Sequence, residues 1–209
     1  MDLGRAGGEG AASALQKALG DGNRRVRRAA AVALGECGAA SAAGALRRAV
    51  ETDAAEDVVG ASEIALGRLG TAGTREFLTK QLSRESRWWD SIRFGALAGL
   101  GKLRDPSLAP LFEKYTDPRQ RQEVRAAALA GWEAAAPDDP KLAETFRRFT
   151  SDRNRQIRED AVRKVGERHG AQDLTLLRKL SEDPDPTVAD YAREGIEETQ
   201  HFTGAEAKK

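Results

Sequence analysis

Apolar side chains recur along this chain three or four residues apart, the spacing of helices with one buried face. The clearest pattern returns six times, and its copies begin at Val26, Val58, Ile92, Val124, Ile157 and Val188. The intervals between copies are 32, 34, 32, 33 and 31 residues. A period near 33 indicates a stacked array, because one such unit cannot bury its own apolar face. The pattern predicts an all-α protein, and strand patterns are absent from the sequence.

Each period contains two predicted helices. A shorter amphipathic segment precedes each copy, and these segments end at Leu19, Val50, Leu82, Tyr115, Phe149 and Leu180. Between the two helices lie turns rich in Asp, Ser, Asn and Pro, residues that cap a helix or cannot continue one. Gly38, Gly70 and Gly170 are placed to close three of the second helices in a left-handed conformation. The sequence therefore predicts a right-handed α-solenoid of about six helical hairpins.

Aligning the six second helices separates core positions from surface positions. Positions one, five and nine fall on one helical face, so they predict the shared core. Trp132 stands at position nine and is interpreted as packing. Cys37 stands at position twelve beside Leu69 and Leu103 in the alignment, which favours a small core residue over a reactive thiol.

Composition narrows the function. The chain has 209 residues, with 34 Lys and Arg against 33 Asp and Glu, so no overall positive field draws nucleic acid or an anionic membrane. The predicted organisation is a flexible linker over 1–10, the solenoid over 11–199 and a flexible tail over 200–209, with the chain forming the end of a longer protein. No signal-peptide or membrane-spanning pattern is visible, which favours the cytoplasm without settling localisation.

Arginines recur at position two, in Arg27, Arg93, Arg125 and Arg158. A phosphate track is one interpretation of this row. The other is a structural ladder, in which arginines pair with aspartates of the preceding turns in the same or the next repeat. Those aspartates are Asp21, Asp117, Asp152 and Asp183. We favour the ladder.

The recurring phrase D-x-x-VR-x-x-AA-x-ALG resembles HEAT repeats, in the short form named after phycobilin lyases, over about residues 11 to 198. The resemblance implies an α-solenoid that binds other proteins or parts of its own chain. It leaves the function open, because such repeats serve as scaffolds, chromophore lyases and alkylpurine glycosylases.

A narrower resemblance is carried by residues 86–131, which begin SRWWDSIRFGALAGLGKLRDPSLAPLFEKYTDP. This stretch is similar to the helical C-terminal region of bacterial zinc aminopeptidases of the aminopeptidase N family. The catalytic domain of those enzymes carries an H-E-x-x-H zinc motif. This chain has only His169 and His201 and no such motif, so the resemblance implies an accessory domain and transfers no catalytic residue.

Enzyme functions known for HEAT-repeat proteins match these residues less well. Trp88, Trp89 and Asp90, with Arg93, superficially resemble the lesion-holding residues of HEAT-repeat glycosylases, but an opposing cationic groove is missing. The corresponding surface is acidic or neutral, at Glu56, Asp57, Glu123 and Glu159. A phycobilin lyase-like activity would need an acceptor site that sequence does not reveal. We expect no catalysis, no cofactor, no metal and no nucleic-acid partner.

A protein-binding surface is the function that the pattern favours. Positions three and seven of the second helices point away from the core, and they are mostly apolar or small in the first four units and charged in the last two. An apolar patch bordered by charge is typical of a contact surface. The predicted protein-binding residues are Val32, Ile64, Trp88, Trp89, Phe94 and Ala98. The alternative is that solenoid curvature buries Val32, Ile64 and Phe94.

Overall fold

The computed structural model describes residues 3–84, 86 and 90–206, and within them the side chains of residues 10–84, 86 and 90–203. The described residues form twelve α-helices and no strand. The helices are α1 (Leu3–Ala18), α2 (Arg24–Glu36), α3 (Ala43–Thr52), α4 (Glu56–Leu69), α5 (Thr74–Gln81), α6 (Ser91–Lys102), α7 (Ala109–Tyr115), α8 (Gln122–Ala135), α9 (Pro140–Phe149), α10 (Arg155–Glu167), α11 (Leu174–Leu180) and α12 (Pro186–Glu206). Short 3-10 turns precede α3, α7 and α11.

The helices pack as six hairpins, each joining an odd-numbered helix to the even-numbered helix that follows it. Within residues 1–137 the second helices stack in the order α2, α4, α6, α8, and within residues 138–209 α10 stacks on α12. The predicted all-α fold of HEAT-like helical hairpins is confirmed. The hand of the stacking stays a prediction.

The chain divides into two compact units, residues 1–137 and 138–209. That residues 11–199 form one continuous array stays a prediction. The division follows the end of α8, where Pro137 and Pro140 interrupt the helical pattern. Helix α1 already begins at Leu3, and α12 continues to Glu206, so helical backbone extends into both predicted flexible segments. Their mobility stays a prediction.

Core positions follow the repeat alignment, with two corrections at the first unit. All six residues at position five are buried, and Trp132 at position nine is fully buried. Val26 is 39% exposed, although position one is buried in the other five repeats. Helix α2 belongs to the first repeat, so no preceding repeat packs against it. Cys37 is exposed rather than part of the core. It is the C-cap residue of α2, so position twelve lies where the helix ends and the chain turns away.

The turns use their aspartates differently from the predicted ladder. Asp21, Asp117, Asp152 and Asp183 each accept a hydrogen bond from the backbone amide two residues later. They therefore close the turns. The arginine pairs that join successive repeats use other aspartates. These pairs are Arg27–Asp53, Arg75–Asp105, Arg147–Asp173 and Arg155–Asp185.

One of the three predicted left-handed caps lies one residue earlier in the chain than predicted. Gly38 and Gly70 have the left-handed φ of 66° and 57° that the pattern predicts. At the end of α10, however, His169 takes the left-handed conformation with φ 50°, and Gly170 has φ −76°. The turn after α10 therefore begins one residue earlier than the glycine indicates.

Candidate functional site

A groove of about 310 Å³ opens on the second helices of residues 1–137. Its lining comes from the helices α2, α4 and α6, because positions three and seven of these helices lie on the face opposite their hairpin partners. We call it the Phe94 groove, and its lining includes Arg28, Val32, Gly60, Ile64, Ser91 and Phe94. Three of the six predicted binding residues, Val32, Ile64 and Phe94, are therefore brought together.

Phe94 is the exposed apolar residue at the edge of this groove. Its residue exposure is 38%, whereas Val32 and Ile64 are half-buried. The alternative, burial by curvature, is therefore wrong for Phe94, whereas Val32 and Ile64 are partly covered. Phe94 also lines a second groove of about 280 Å³, formed with Ala98 and the small side chains of α8. We call this the alanine groove, and its α8 residues include Ala126, Ala130 and Ala134.

Charged side chains border the apolar centre. Glu56 and Asp57 lie at the N-terminal end of α4, and Arg68 lies at its C-terminal end. Asp57 is 3.8 Å from Arg24 Nη1, and Arg68 Nη1 is 3.5 Å from Glu36 Oε1. The groove thus has an acidic edge at the start of α4 and a basic edge at its end.

The predicted tryptophan pair, Trp88 and Trp89, lies outside the described residues. The neighbouring Asp90 is described, and its carboxylate forms an ion pair with Arg93 Nη1 at 2.7 Å. Arg93 also donates from Nε to the carbonyl oxygen of Leu82 at 3.1 Å. These two side chains connect the start of α6 to the end of the preceding helix.

Glu63, which the repeat pattern did not single out, lies next to the groove in the interface between α4 and α6. Glu63 is fully buried, and neither carboxylate oxygen has a hydrogen-bond partner among the described residues. Burial raises the pKa of Glu63 to about 9, although the positive charge of Arg84 acts in the opposite direction. At neutral pH this carboxyl is therefore protonated. The signal was present at position six, where the other five units have Ala31, Leu97, Leu129, Val162 and Arg193.

Glycines allow α4 and α6 to approach closely around Glu63. A Cβ atom at Gly95 would lie 2.5 Å from Glu63 Oε2 and 2.5 Å from Gly60 Cα. A Cβ atom at Gly67 would lie 2.0 Å from the carbonyl oxygen of Gly99. Larger residues at these positions would force the two helices apart.

The arginine pairs between repeats contribute charge stabilisation at the edges of the array. Burial opposes ionisation of Asp53, but hydrogen bonds from Arg27 and from the amide of Ala55 outweigh it and lower the pKa of Asp53. The two hydrogen bonds between Arg27 and Asp53 measure 2.6 Å and 2.9 Å. This arginine is therefore engaged within the protein, which favours the structural interpretation of the arginine row over a phosphate track.

The described side chains contain no cluster of three or more His, Cys, Asp or Glu placed to hold a metal ion. No helix in the described part of the chain is long and apolar enough to cross a membrane. The expected absence of metals, cofactors and nucleic acid stays a prediction.

Comparison with known proteins agrees with the repeat pattern. Residues 1–67 match the family described as HEAT repeats. No curated protein matches the chain in sequence. Among solved structures, the complex of CpcE and CpcF of phycocyanin lyase from Nostoc sp. PCC7120 is similar, with a TM-score of 0.50 and 16% sequence identity. The similarity covers 90% of this chain and 88% of the other. At this identity the similarity is one of fold: this chain is a helical-repeat protein similar to HEAT repeats.

Proposed function

We propose that this chain is a non-catalytic protein-interaction module that binds a partner protein at the Phe94 groove. The observation that carries the proposal is the placement of an exposed Phe94 between two grooves with apolar linings. A large aromatic side chain surrounded by small and aliphatic residues is the arrangement that commonly dominates binding energy at protein contacts. The surrounding charges then fix the orientation of the partner.

The chemistry of the groove specifies the partner's surface. Its centre must be apolar, with side chains that pack on Ile64 and Phe94. A cationic group on the partner would lie near Glu56 at the acidic edge, and an anionic group would lie near Arg68 at the basic edge. A flat, uniformly charged surface such as a nucleic-acid backbone does not match this pattern.

The source of this partner surface is a finer proposal. The resemblance of residues 86–131 to the C-terminal region of aminopeptidase N-like enzymes points to the catalytic domain of such a metallopeptidase, in the same parent chain or in a separate one. No comparison supports this resemblance. Finding an H-E-x-x-H domain upstream in the full open reading frame would support it, and a reading frame without one would leave only a separate partner.

The alternative function is a HEAT-repeat enzyme, similar to alkylpurine DNA glycosylases or to phycobilin lyases. The solved structure with the similar fold contains two proteins of a phycocyanin lyase. Against the glycosylase, the Asp90 carboxylate is engaged by Arg93. Base release from alkylated duplex DNA, abolished in Asp90→Asn, would favour the glycosylase. Attachment of a bilin to phycocyanin would favour the lyase.

Photo-crosslinking tests the proposed docking. A photoreactive phenylalanine is placed at Phe94 in one variant and at Phe202 in another, and adducts formed in host cells are identified by mass spectrometry. Phe202 is the matched control, because it is 49% exposed and lies outside the first unit. We expect a defined protein adduct at Phe94 that weakens when Ile64→Glu is added. Identical adducts at both positions would contradict the proposal.

A further inference from the structure

The interface between α4 and α6 contains a buried acid at a position where four of the other five repeats have Ala, Leu or Val and the last has the exposed Arg193. Glu63 is fully buried, and its Oε2 atom lies against the backbone of Gly95. The equivalent position in the next second helix, α6, is occupied by the fully buried Leu97. A carboxyl without a hydrogen-bond partner is costly to bury in either protonation state, and far more costly when it is ionised.

Both sides of this interface also form the Phe94 groove. Gly60 and Ile64 come from α4, and Ser91 and Phe94 come from α6. Any movement that separates the two helices to admit water to Glu63 must therefore change the width of the groove. Because the two helices touch through glycines, no side chain at these contacts could fill the space that opens when the helices separate.

We propose that the α4–α6 interface is a joint controlled by protonation of Glu63, in which the neutral carboxyl keeps the two helices closed and its ionisation separates them and widens the Phe94 groove. This inference rests on the proposed function for its biological use, since the groove is the proposed docking site. The high pKa of Glu63, about 9, is the value for the closed state. In an opened, hydrated joint the group would return towards its ordinary value.

The charged groups around Glu63 support this mechanism. The parts of α6 that face Glu63 are Gly95 and Gly99, and Leu78 of α5 lies beside Gly99. Arg84, which follows α5, is the described charged group that acts on Glu63, and its Nη1 donates to the carbonyl oxygen of Val50 at 2.6 Å. The remaining charged side chains of α4, α5 and α6 pair with other groups or are exposed to solvent. They are Glu56, Asp57, Arg68, Arg75, Glu76, Lys80, Arg93 and Lys102.

Distances between spin labels test the joint directly. Labels are attached to cysteines that replace Arg68 on α4 and Lys102 on α6, in the full chain carrying Cys37→Ser. Both sites are exposed and occupy position eleven of their repeats. Pulsed electron paramagnetic resonance then measures the separation from pH 6 to pH 9. We expect the longer-distance population to grow with pH, its equilibrium constant rising by up to about tenfold per pH unit.

Two controls make the result specific to Glu63. In Glu63→Gln the distance distribution should not change with pH. If Glu63→Gln does not fold, Glu63→Leu serves as the control instead. Labels at Glu167 and Glu198, the same positions on α10 and α12, report a glycine contact between Gly166 and Gly195 that has no buried carboxyl at position six. They should show no opening.

The proposal is overturned if the Arg68–Lys102 distance is independent of pH, or if the Glu63 variants respond to pH as the wild type does. The labels report the joint without any partner. Failure here would therefore leave the crosslinking test of docking intact, and failure of docking would leave the joint measurable.

Discussion

At the scale of single residues, Glu63 and Phe94 both depart from what a uniform repeat would place at their positions. Phe94 exposes an aromatic ring where solvated second helices carry polar groups, and Glu63 buries an acid where four of the other five repeats carry Ala, Leu or Val. Residues that disagree with their structural surroundings are expected at functional sites, because the disagreement lowers stability without helping the fold. The two lie on adjacent helices of the same groove.

The pH dependence of unfolding tests the protonation state of Glu63. The pKa of this acid is raised from an ordinary 4.5 to about 9 by folding, so the folded chain holds one more proton between these values. Stability from this group is therefore complete below pH 4.5 and is lost as pH rises towards 9. By pH 7 the loss reaches about 3 kcal/mol, which Glu63→Leu should recover.

Denaturant unfolding between pH 5 and pH 9 measures this effect. The advantage of Glu63→Leu over the wild type should grow steadily with pH, whereas Glu76→Gln, a change at an exposed residue of α5, should follow the wild type. A constant difference between Glu63→Leu and the wild type at all pH values would show that Glu63 is ionised in the folded protein throughout.

At the scale of helices, close packing of α4 on α6 depends on glycine. Gly95→Ala places a Cβ atom 2.5 Å from both Glu63 Oε2 and Gly60 Cα, so the helices must shift. We expect a loss of about 1–3 kcal/mol in unfolding free energy, as for other overpacked interfaces. Gly22→Ala is the matched control, because its Cβ would have no neighbour within 4 Å. Equal stability of the two variants would contradict the packing described for this interface.

Much at this scale could be predicted from the sequence, since the period near 33 and the apolar faces determine which surfaces must pack together. Position five is buried in all six units as predicted. The arginine pairs were harder, because sequence shows that Arg27 can meet an aspartate but not that Asp53 lies closer than Asp21. Which partner is reached depends on the stagger between successive repeats, a three-dimensional quantity. The exposure of Cys37 likewise depends on where α2 ends.

At the scale of the whole chain, the Phe94 groove and the α4–α6 interface both lie within residues 1–137. Val32, Ile64, Phe94 and Ala98 could be predicted as surface residues because positions three and seven point away from the hairpin core. Their grouping into two grooves on either side of Phe94 follows from the stacking of α2, α4, α6 and α8. Glu63 could not be predicted as a buried acid, because the sequence does not show whether position six of α4 is covered by the next helix.

Binding affinity measures whether a partner docks at the Phe94 groove. The purified domain of the partner identified by crosslinking is titrated with the wild type, Phe94→Glu and Phe202→Glu. We predict that Phe94→Glu weakens binding by about 2 kcal/mol or more, or at least about 30-fold, because a charge would be buried in the apolar contact. Its melting temperature should stay close to that of the wild type, and Phe202→Glu should bind normally. Unchanged affinity in Phe94→Glu, or a large fall in its melting temperature, would contradict the account.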